Sequence, residues 1–225
     1  MPSRPDLAGA DAAPAVMPSD TPPRRLLWSL MLLVALGAVA FYNGTCINQN
    51  ARLDAIYTFV EPGPHRFTFR IDPFLLDPAR GINTVDWARS PADGHFYSNK
   101  APGTILLGVP VYAALWGAER ALGVDPIALL PVILNAWLIH FVVTIVPFVL
   151  SAGAFATLVY RLTAGNRRRT AALTVLLYLG TPALPFATML WGHATALAFA
   201  VFALASVLAP RPRFVAAGLF LGLAV

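Results

Sequence analysis

The chain has 225 residues, 57% of them hydrophobic and 12% charged, against roughly a quarter charged residues in an ordinary soluble domain. So little polar side chain cannot coat a water-facing globule, and apolar runs approaching the ~20 residues of a spanning helix recur along the sequence. The net charge of +5 comes from fifteen arginines and one lysine. The arginine clusters (Arg24-Arg25, Arg167-Arg168-Arg169, Arg211 and Arg213) border apolar runs, a pattern of membrane topology and not the basic stripe of a nucleic-acid reader. Cys46, the only cysteine, excludes an intrachain disulfide and a thiolate metal cluster.

Residues 1–23 are rich in Pro, Ala, Ser and Asp and carry no aromatic residue, so they read as a disordered cytoplasmic tail. Leu26 to Tyr42 follows Arg24-Arg25 and reads as a first span with a cytoplasmic amino terminus. A cleaved signal peptide is the competing reading, since Ala38-Val39-Ala40 imitates a cleavage site. The tail ahead is long, however, and the apolar run exceeds the usual ~7 to 15 residues.

Residues 43–100 form one long external loop that holds six of the eleven acids: Asp54, Glu61, Asp72, Asp77, Asp86 and Asp93. Within it, Leu53, Ile56 and Val60 recur at helical spacing, which predicts an amphipathic helix over Ile47 to Val60 lying along the membrane surface. Pro62-Gly63-Pro64 ends that helix. Arg66 to Asp72 alternates polar and apolar residues like a short strand, and Asp77-Pro78, Gly81 and Pro91 mark turns.

Ala101 to Leu122 is a second span, entered through Pro102 in the first helical turn. Ile127 to Leu162 would measure about 50 Å as one helix, well beyond a hydrocarbon core of about 30 Å. It either tilts and protrudes or, the favoured expectation, breaks near Pro147 to Gly153 into two short helices. That gives three crossings between the loop and Arg167, the odd number that keeps those arginines cytoplasmic. Ala171 to Leu179 rises to an external corner at Gly180 to Pro185, and His193 to Leu208 returns. Phe214 to Val225 opens another span that is too short to cross, so residues 24–225 read as a transmembrane module truncated at its carboxy end. The expected fold is an all-α polytopic membrane protein, a helix bundle with a long external loop carrying a surface-lying amphipathic helix.

Lys100 lies where that loop meets the second span, within Tyr97-Ser98-Asn99-Lys100-Ala101-Pro102-Gly103. A cation at headgroup depth suits the phosphate of a lipid-linked substrate, with Tyr97 and Ser98 as further donors. The competing reading is a helix-end lysine that snorkels to the interface. Arg52 and Asp54 stand two apart on the loop helix and therefore diverge. An arginine can grip phosphate oxygens bidentately and an aspartate can take the proton of an attacking hydroxyl, whereas the plain reading is two charges on a solvated face. Asp72 and Asp86 sit in turn-like settings where aspartate caps backbone donors. His95 and His193 fall on the external side and His140 inside the third run, without the spacing of a zinc site. The sequence has no phosphate-cradling glycine loop, nucleophile elbow or HExxH.

In order, a first span, Asn48-Gln49-Asn50-Ala51-Arg52-Leu53-Asp54, Gly94 to Gly103, Gly180-Thr181-Pro182 and Trp191-Gly192-His193 make the chain, over residues 25–225, similar to bacterial members of the GT-C superfamily. These are polyprenyl-phosphate-sugar-dependent glycosyltransferases, the group containing protein O-mannosyltransferases and the lipid A aminoarabinose transferase. The resemblance implies an enzyme of the bacterial inner (plasma) membrane that moves a sugar from a polyprenyl-phosphate carrier to an acceptor hydroxyl on the non-cytoplasmic face, usually with inversion. It implies that a lysine ahead of a proline meets the carrier phosphate, which Lys100-Ala101-Pro102 matches; Arg52, Tyr97 and His193 are further candidate substrate-binding residues by their settings, His193, which opens a span after Trp191-Gly192, reading equally as an interfacial residue. It also implies a carboxylate base in the first external loop. Here Gln49-Asn50-Ala51 precedes Arg52 where the aminoarabinose transferase pattern has an acidic pair, so Asp54 or Asp86 takes the catalytic place. The partners implied are the lipid-linked sugar and membrane lipid, with no nucleic acid. No cofactor is specified, and a divalent metal is left open. A transporter or flippase would instead bury ionisable residues at mid-membrane, where only His140 falls, and a non-catalytic subunit would fit the missing early carboxylate.

Overall fold

In a computed structural model, residues 21–44, 46–76 and 84–224 are described; the amino-terminal tail to residue 20 and the turns expected at Asp77-Pro78 and Gly81 lie outside them. The elements are α1 (Arg24–Ala40), α2 (Ile47–Val60), α3 (Asp72–Leu76), β1 (Trp87–Arg89), β2 (Phe96–Ser98), α4 (Pro102–Ala121) and α5 (Leu129–His140). A π-helical turn (Phe141–Ile145) joins α5 to α6 (Val146–Leu162), followed by α7 (Arg167–Leu179), α8 (Ala183–Ala187), α9 (Gly192–Val207) and α10 (Phe214–Leu223). The protein is thus predominantly helical. Leu129–Leu162 is the helix long and apolar enough to cross a membrane among the described residues.

That helix corrects the expected break at Pro147 to Gly153. Pro147 cannot donate a hydrogen bond to the Val143 carbonyl one turn back, which normally kinks or ends a helix. Here the π turn sits just ahead of it, so Pro147 falls in the first turn of α6, where proline is tolerated. The stranded Val143 carbonyl accepts instead from Thr195 Oγ1 of α9 at 3.1 Å. One side chain from a neighbouring helix therefore replaces the bond that proline removes.

The continuous helix belongs to two layers at once. Its α6 half packs in a bundle with α1 and α7, which run antiparallel to it, with α9, which runs parallel to it, and, beyond α9, with α10. Met31 lies against Gly153, Ser151 Oγ and the Tyr178 hydroxyl are 2.8 Å apart, and Phe199 and Phe202 meet Phe220. The amino end of α1, both sides of the α6–α7 connection and the α9–α10 connection share one end of this bundle, which gathers Arg24, Arg25, Arg161, Arg167 to Arg169, Arg211 and Arg213. Asn166 caps α7 there, its side chain accepting from the Arg169 N–H at 3.0 Å. At the other end the Asn43 N–H donates to the Thr188 carbonyl at 2.9 Å.

Helix α5 extends past that second end into a separate layer with α2 and α4. The core of this layer is Leu53, Ile56, Tyr57, Tyr112, Ala136 and Ile139. Gly108 lets α4 come close to Ile56 of α2 and Ile139 of α5. Helix α4 packs on α2, α5 and the π turn, and meets the bundle mainly at the start of α9.

Two expectations about the loop are corrected as well. Helix α2 has the predicted bounds, but its polar side does not face solvent. Gln49, Arg52, Asp54 and Thr58 on its polar side are as buried as Leu53 and Ile56, because α4 covers one flank and the loop folds over the other. Of the strand expected over Arg66 to Asp72, only Arg70 pairs, as an antiparallel bridge with Tyr97; the residues before it are turns, in which Phe67 and Phe69 adopt left-handed φ of 64° and 57°, and Asp72 opens α3. The alternation of the two phenylalanines serves to bring both rings onto Phe59, at 5.3 and 4.4 Å. The strands lie later, β1 and β2 pairing antiparallel across the Pro91 turn.

Thr195→Val should strand the Val143 carbonyl and cost about 1–3 kcal/mol. Thermal unfolding in detergent should show a smaller loss for the same change in a Pro147→Ala background, where the backbone donor returns. Equal losses in both backgrounds would contradict this account of the π turn.

Candidate functional site

A cavity of about 300 Å³ opens where the two layers meet, lined by Arg52, Asn99, Lys100, Ala101, Thr104, Gly192, His193, Thr195 and Ala196 and, from the end of α10, Leu223 and Ala224. Three of the predicted substrate-binding residues, Arg52, Lys100 and His193, therefore come together from α2, the α4 entry and α9. Arg52 is only 5% exposed. Its Nη1 donates to the Asn48 carbonyl at 3.1 Å and to the Asn48 side-chain oxygen, while its buried Nε has no hydrogen-bond partner. A buried guanidinium with an unused donor is costly unless an anion completes it. Burial holds the Arg52 pKa below its ordinary value, and the nearby Asp86 carboxylate pulls it back up.

Lys100 Nζ reaches Asp86 Oδ2 at 3.0 Å. Asp86 is fixed by its backbone. Its N–H donates to Thr84 Oγ1 at 3.0 Å, Thr84 Oγ1 donates to the Ile47 carbonyl at 2.7 Å, and the Asn99 N–H reaches the Asp86 carbonyl at 3.4 Å. The acid is thereby strapped between the start of α2 and the entry to α4.

The first turns of α4 and α9 both line the cavity. Helix starts carry unpaired N–H groups and the positive end of the helix dipole, which favour anions. Gly192 makes the approach possible: a Cβ there would sit 3.1 Å from Thr104 Oγ1 and 3.9 Å from Arg52 Nη2. His193 is steadied by its ring contacts with Phe186 at 4.5 Å and Trp191 at 6.0 Å. One guanidinium, one ammonium, an imidazole and two helix starts are groups whose chemistry suits an anion. A divalent cation, which needs several oxygen ligands, does not fit this donor set, and among the described residues no three His, Cys, Asp or Glu side chains converge as metal ligands.

The remaining predicted residues lie elsewhere. Asp54 is wholly buried on α2 and stands outside the cavity; neither carboxyl oxygen has a hydrogen-bond partner. Burial first, and Glu61 second, push its pKa up to about 9, so at neutral pH it is an uncharged acid within the α2–α4 core. Tyr112 donates to Glu61 Oε1 at 2.9 Å in that core, and Asn135 donates to Glu119 at 3.1 Å. Tyr97 and Ser98 share a smaller neighbouring cavity of about 120 Å³ with Ala55, Lys100 and Pro102. The Tyr97 hydroxyl is turned to the hairpin, donating to Asp93 at 2.7 Å and accepting from Arg70 Nε at 3.3 Å. That hydroxyl, then the His95 N–H, holds Asp93 down to about 2. His95 Nδ1 meets Asp72 at 3.3 Å, tying hairpin to α3. His140 packs on the Tyr42 ring at 5.1 Å in the interior.

Asn48, Asn99, Thr104 and Gly192 were not singled out as individual contributors. A glycine opening a helix after Trp191 was a usable signal for close backbone approach; Thr104 offered none.

No protein-family model, curated protein or solved structure matches this chain.

The Asp54 carboxyl binds its proton far more tightly in the fold than in the unfolded chain, where its pKa is roughly 3.9. The folded state therefore carries the extra proton between those values, and its stability falls as pH rises towards 9, by at most about 1.4 kcal/mol per pH unit. Asp54→Asn abolishes this titration. The thermal midpoint should fall more gently from pH 5 to 9 in the variant than in the unchanged protein, and parallel curves would show that Asp54 is solvated.

Proposed function

We propose that this chain is a multi-pass membrane glycosyltransferase module of the GT-C type, transferring a sugar from a polyprenyl-phosphate carrier to an acceptor hydroxyl on the non-cytoplasmic face. The carrying observation is the convergence of Arg52 and Lys100 on one cavity with two helix starts, at the end of the bundle opposite the arginine clusters. By the positive-inside rule the arginine end is cytoplasmic and the cavity faces outward. In this topology α1, α6 and α9 cross, the 13-residue α7 crosses together with the corner and α8 that follow it, and α2, α4 and α5 form an outer layer. The 34-residue helix exceeds the ~30 Å core by about 20 Å, close to the length of its α5 half. A single crossing by α6 keeps the odd parity for which three had been expected.

A glycosyl phosphate already carries its leaving group, so the reaction needs charge neutralisation more than protonation of that group. Lys100 and Arg52 supply two positive charges to the phosphate as the bond from the anomeric carbon to the phosphate oxygen breaks and its electron pair stays on that oxygen. The acceptor oxygen forms the new bond to the anomeric carbon, and its proton passes to the carboxylate of Asp86, which is held 3.0 Å from Lys100 of the cavity lining. Asp54, protonated and outside the cavity, maintains the α2–α4 core. The carrier's apolar chain runs into the surrounding lipid.

In the full-length protein, Lys100→Ala and Arg52→Ala should each lower transfer of radiolabelled sugar from polyprenyl-phosphate donors by roughly 10²-fold or more, with membrane insertion unchanged. Full activity in both variants overturns the assignment. With Cys46 replaced by serine, a cysteine at Ala92 should react with an impermeant thiol reagent on intact cells and one at Pro212 only after lysis. The opposite pattern would invert the orientation.

A further inference from the structure

Asp86 is the negative charge already paired with the cations of the cavity. Its carboxylate is 3.0 Å from Lys100 Nζ, and it is the acid whose charge acts on Arg52. Yet a cavity of about 300 Å³ lined by both Arg52 and Lys100 stays open, so the internal acid leaves room for a second anion beside the two cations. Its side chain is 28% exposed, with freedom to turn outward while its backbone stays tied through Thr84 and Asn99.

We propose that Asp86 is an internal anion that holds Lys100 while the site is empty and is displaced from it when a phosphodiester enters. This rests on the reading of the cavity as a carrier-phosphate site. While Lys100 Nζ lies 3.0 Å from Asp86 Oδ2, the ammonium covers the oxygen that would have to meet an acceptor hydroxyl. Transfer of Lys100 from Asp86 to the phosphate frees the acid at the moment the donor is seated. Donor binding and activation of the acceptor hydroxyl are thereby one event, and an empty site keeps its base neutralised. With Asp86 retained, the cluster of Arg52, Lys100 and Asp86 carries one net positive charge, which a single phosphodiester balances.

Lys100 is the chain's only lysine, so its labelling by an acetylating reagent reports one side chain, and carbodiimide coupling read by peptide mass spectrometry reports Asp86. The probe is farnesyl methyl phosphate, an isoprenoid phosphodiester with one charge, added to the full-length protein in lipid nanodiscs. At saturation the acetylation of Lys100 should slow and coupling at Asp86 should speed up, each about threefold or more. By calorimetry Asp86→Asn should bind the probe roughly tenfold more tightly, since a competing negative charge is gone, while transfer is lost. A purely structural Asp86 would give weaker binding instead. Protection of Lys100 with unchanged Asp86 coupling, or unchanged or weaker binding by a folded Asp86→Asn protein, overturns this inference and leaves the phosphate site standing. Absence of probe binding, with neither residue's rate altered, overturns the phosphate site and this inference with it. The labelling needs no variant, so the test stands even if Asp86→Asn fails to fold.

Discussion

A guanidinium buried to 5% exposure with one donor unused is the constraint around which the site is arranged. Removing an arginine from water is costly unless charge and hydrogen bonds replace the solvent. Asn48 supplies part of that replacement from one turn earlier on α2, and Asp86 supplies the nearest negative charge. The strap through Thr84, the close approach at Gly192 and the position of Lys100 all place groups around this one side chain.

The architecture explains why the cavity lies where it does. The helix running through both layers is interrupted by a π turn where outer layer and bundle meet, and Thr195, which satisfies the carbonyl released by Pro147, also lines the cavity. Local unwinding of a helix, at the cost of a regular hydrogen bond, thus fixes the start of α9 against the long helix. That start contributes Gly192 and His193. A π turn beside a cavity is a recurrent association in helical proteins, here with a residue-level cause.

Much of this was legible in the sequence where a side chain's role is local. The bounds of α1, α2, α4 and α9, the proline entry to α4 and the approximate place of the corner before α9 follow from apolar periodicity, arginine borders and turn residues. Lys100 and Arg52 stood out by charge type and setting, and they do face one cavity. The misreadings share a cause: tertiary partners overrode the local pattern. Pro147 signals a break until Thr195 takes over the lost bond. Asp54 signals a solvated face until the loop buries it and raises its pKa. The alternating Phe67 and Phe69 signal a strand until Phe59 gathers both rings into turns. Nothing in a single sequence announces those partners, which lie from eight to nearly fifty residues away.

The central claim is that Arg52 and Lys100 jointly receive a phosphate, and a structure of the full-length protein in nanodiscs with a non-hydrolysable polyprenyl phosphonate sugar tests it most directly. The account predicts the phosphonate oxygens within hydrogen-bond distance of Lys100 Nζ and the Arg52 guanidinium, with the sugar directed towards Asp86. A headgroup bound elsewhere, with the Lys100–Asp86 pair undisturbed, would contradict it.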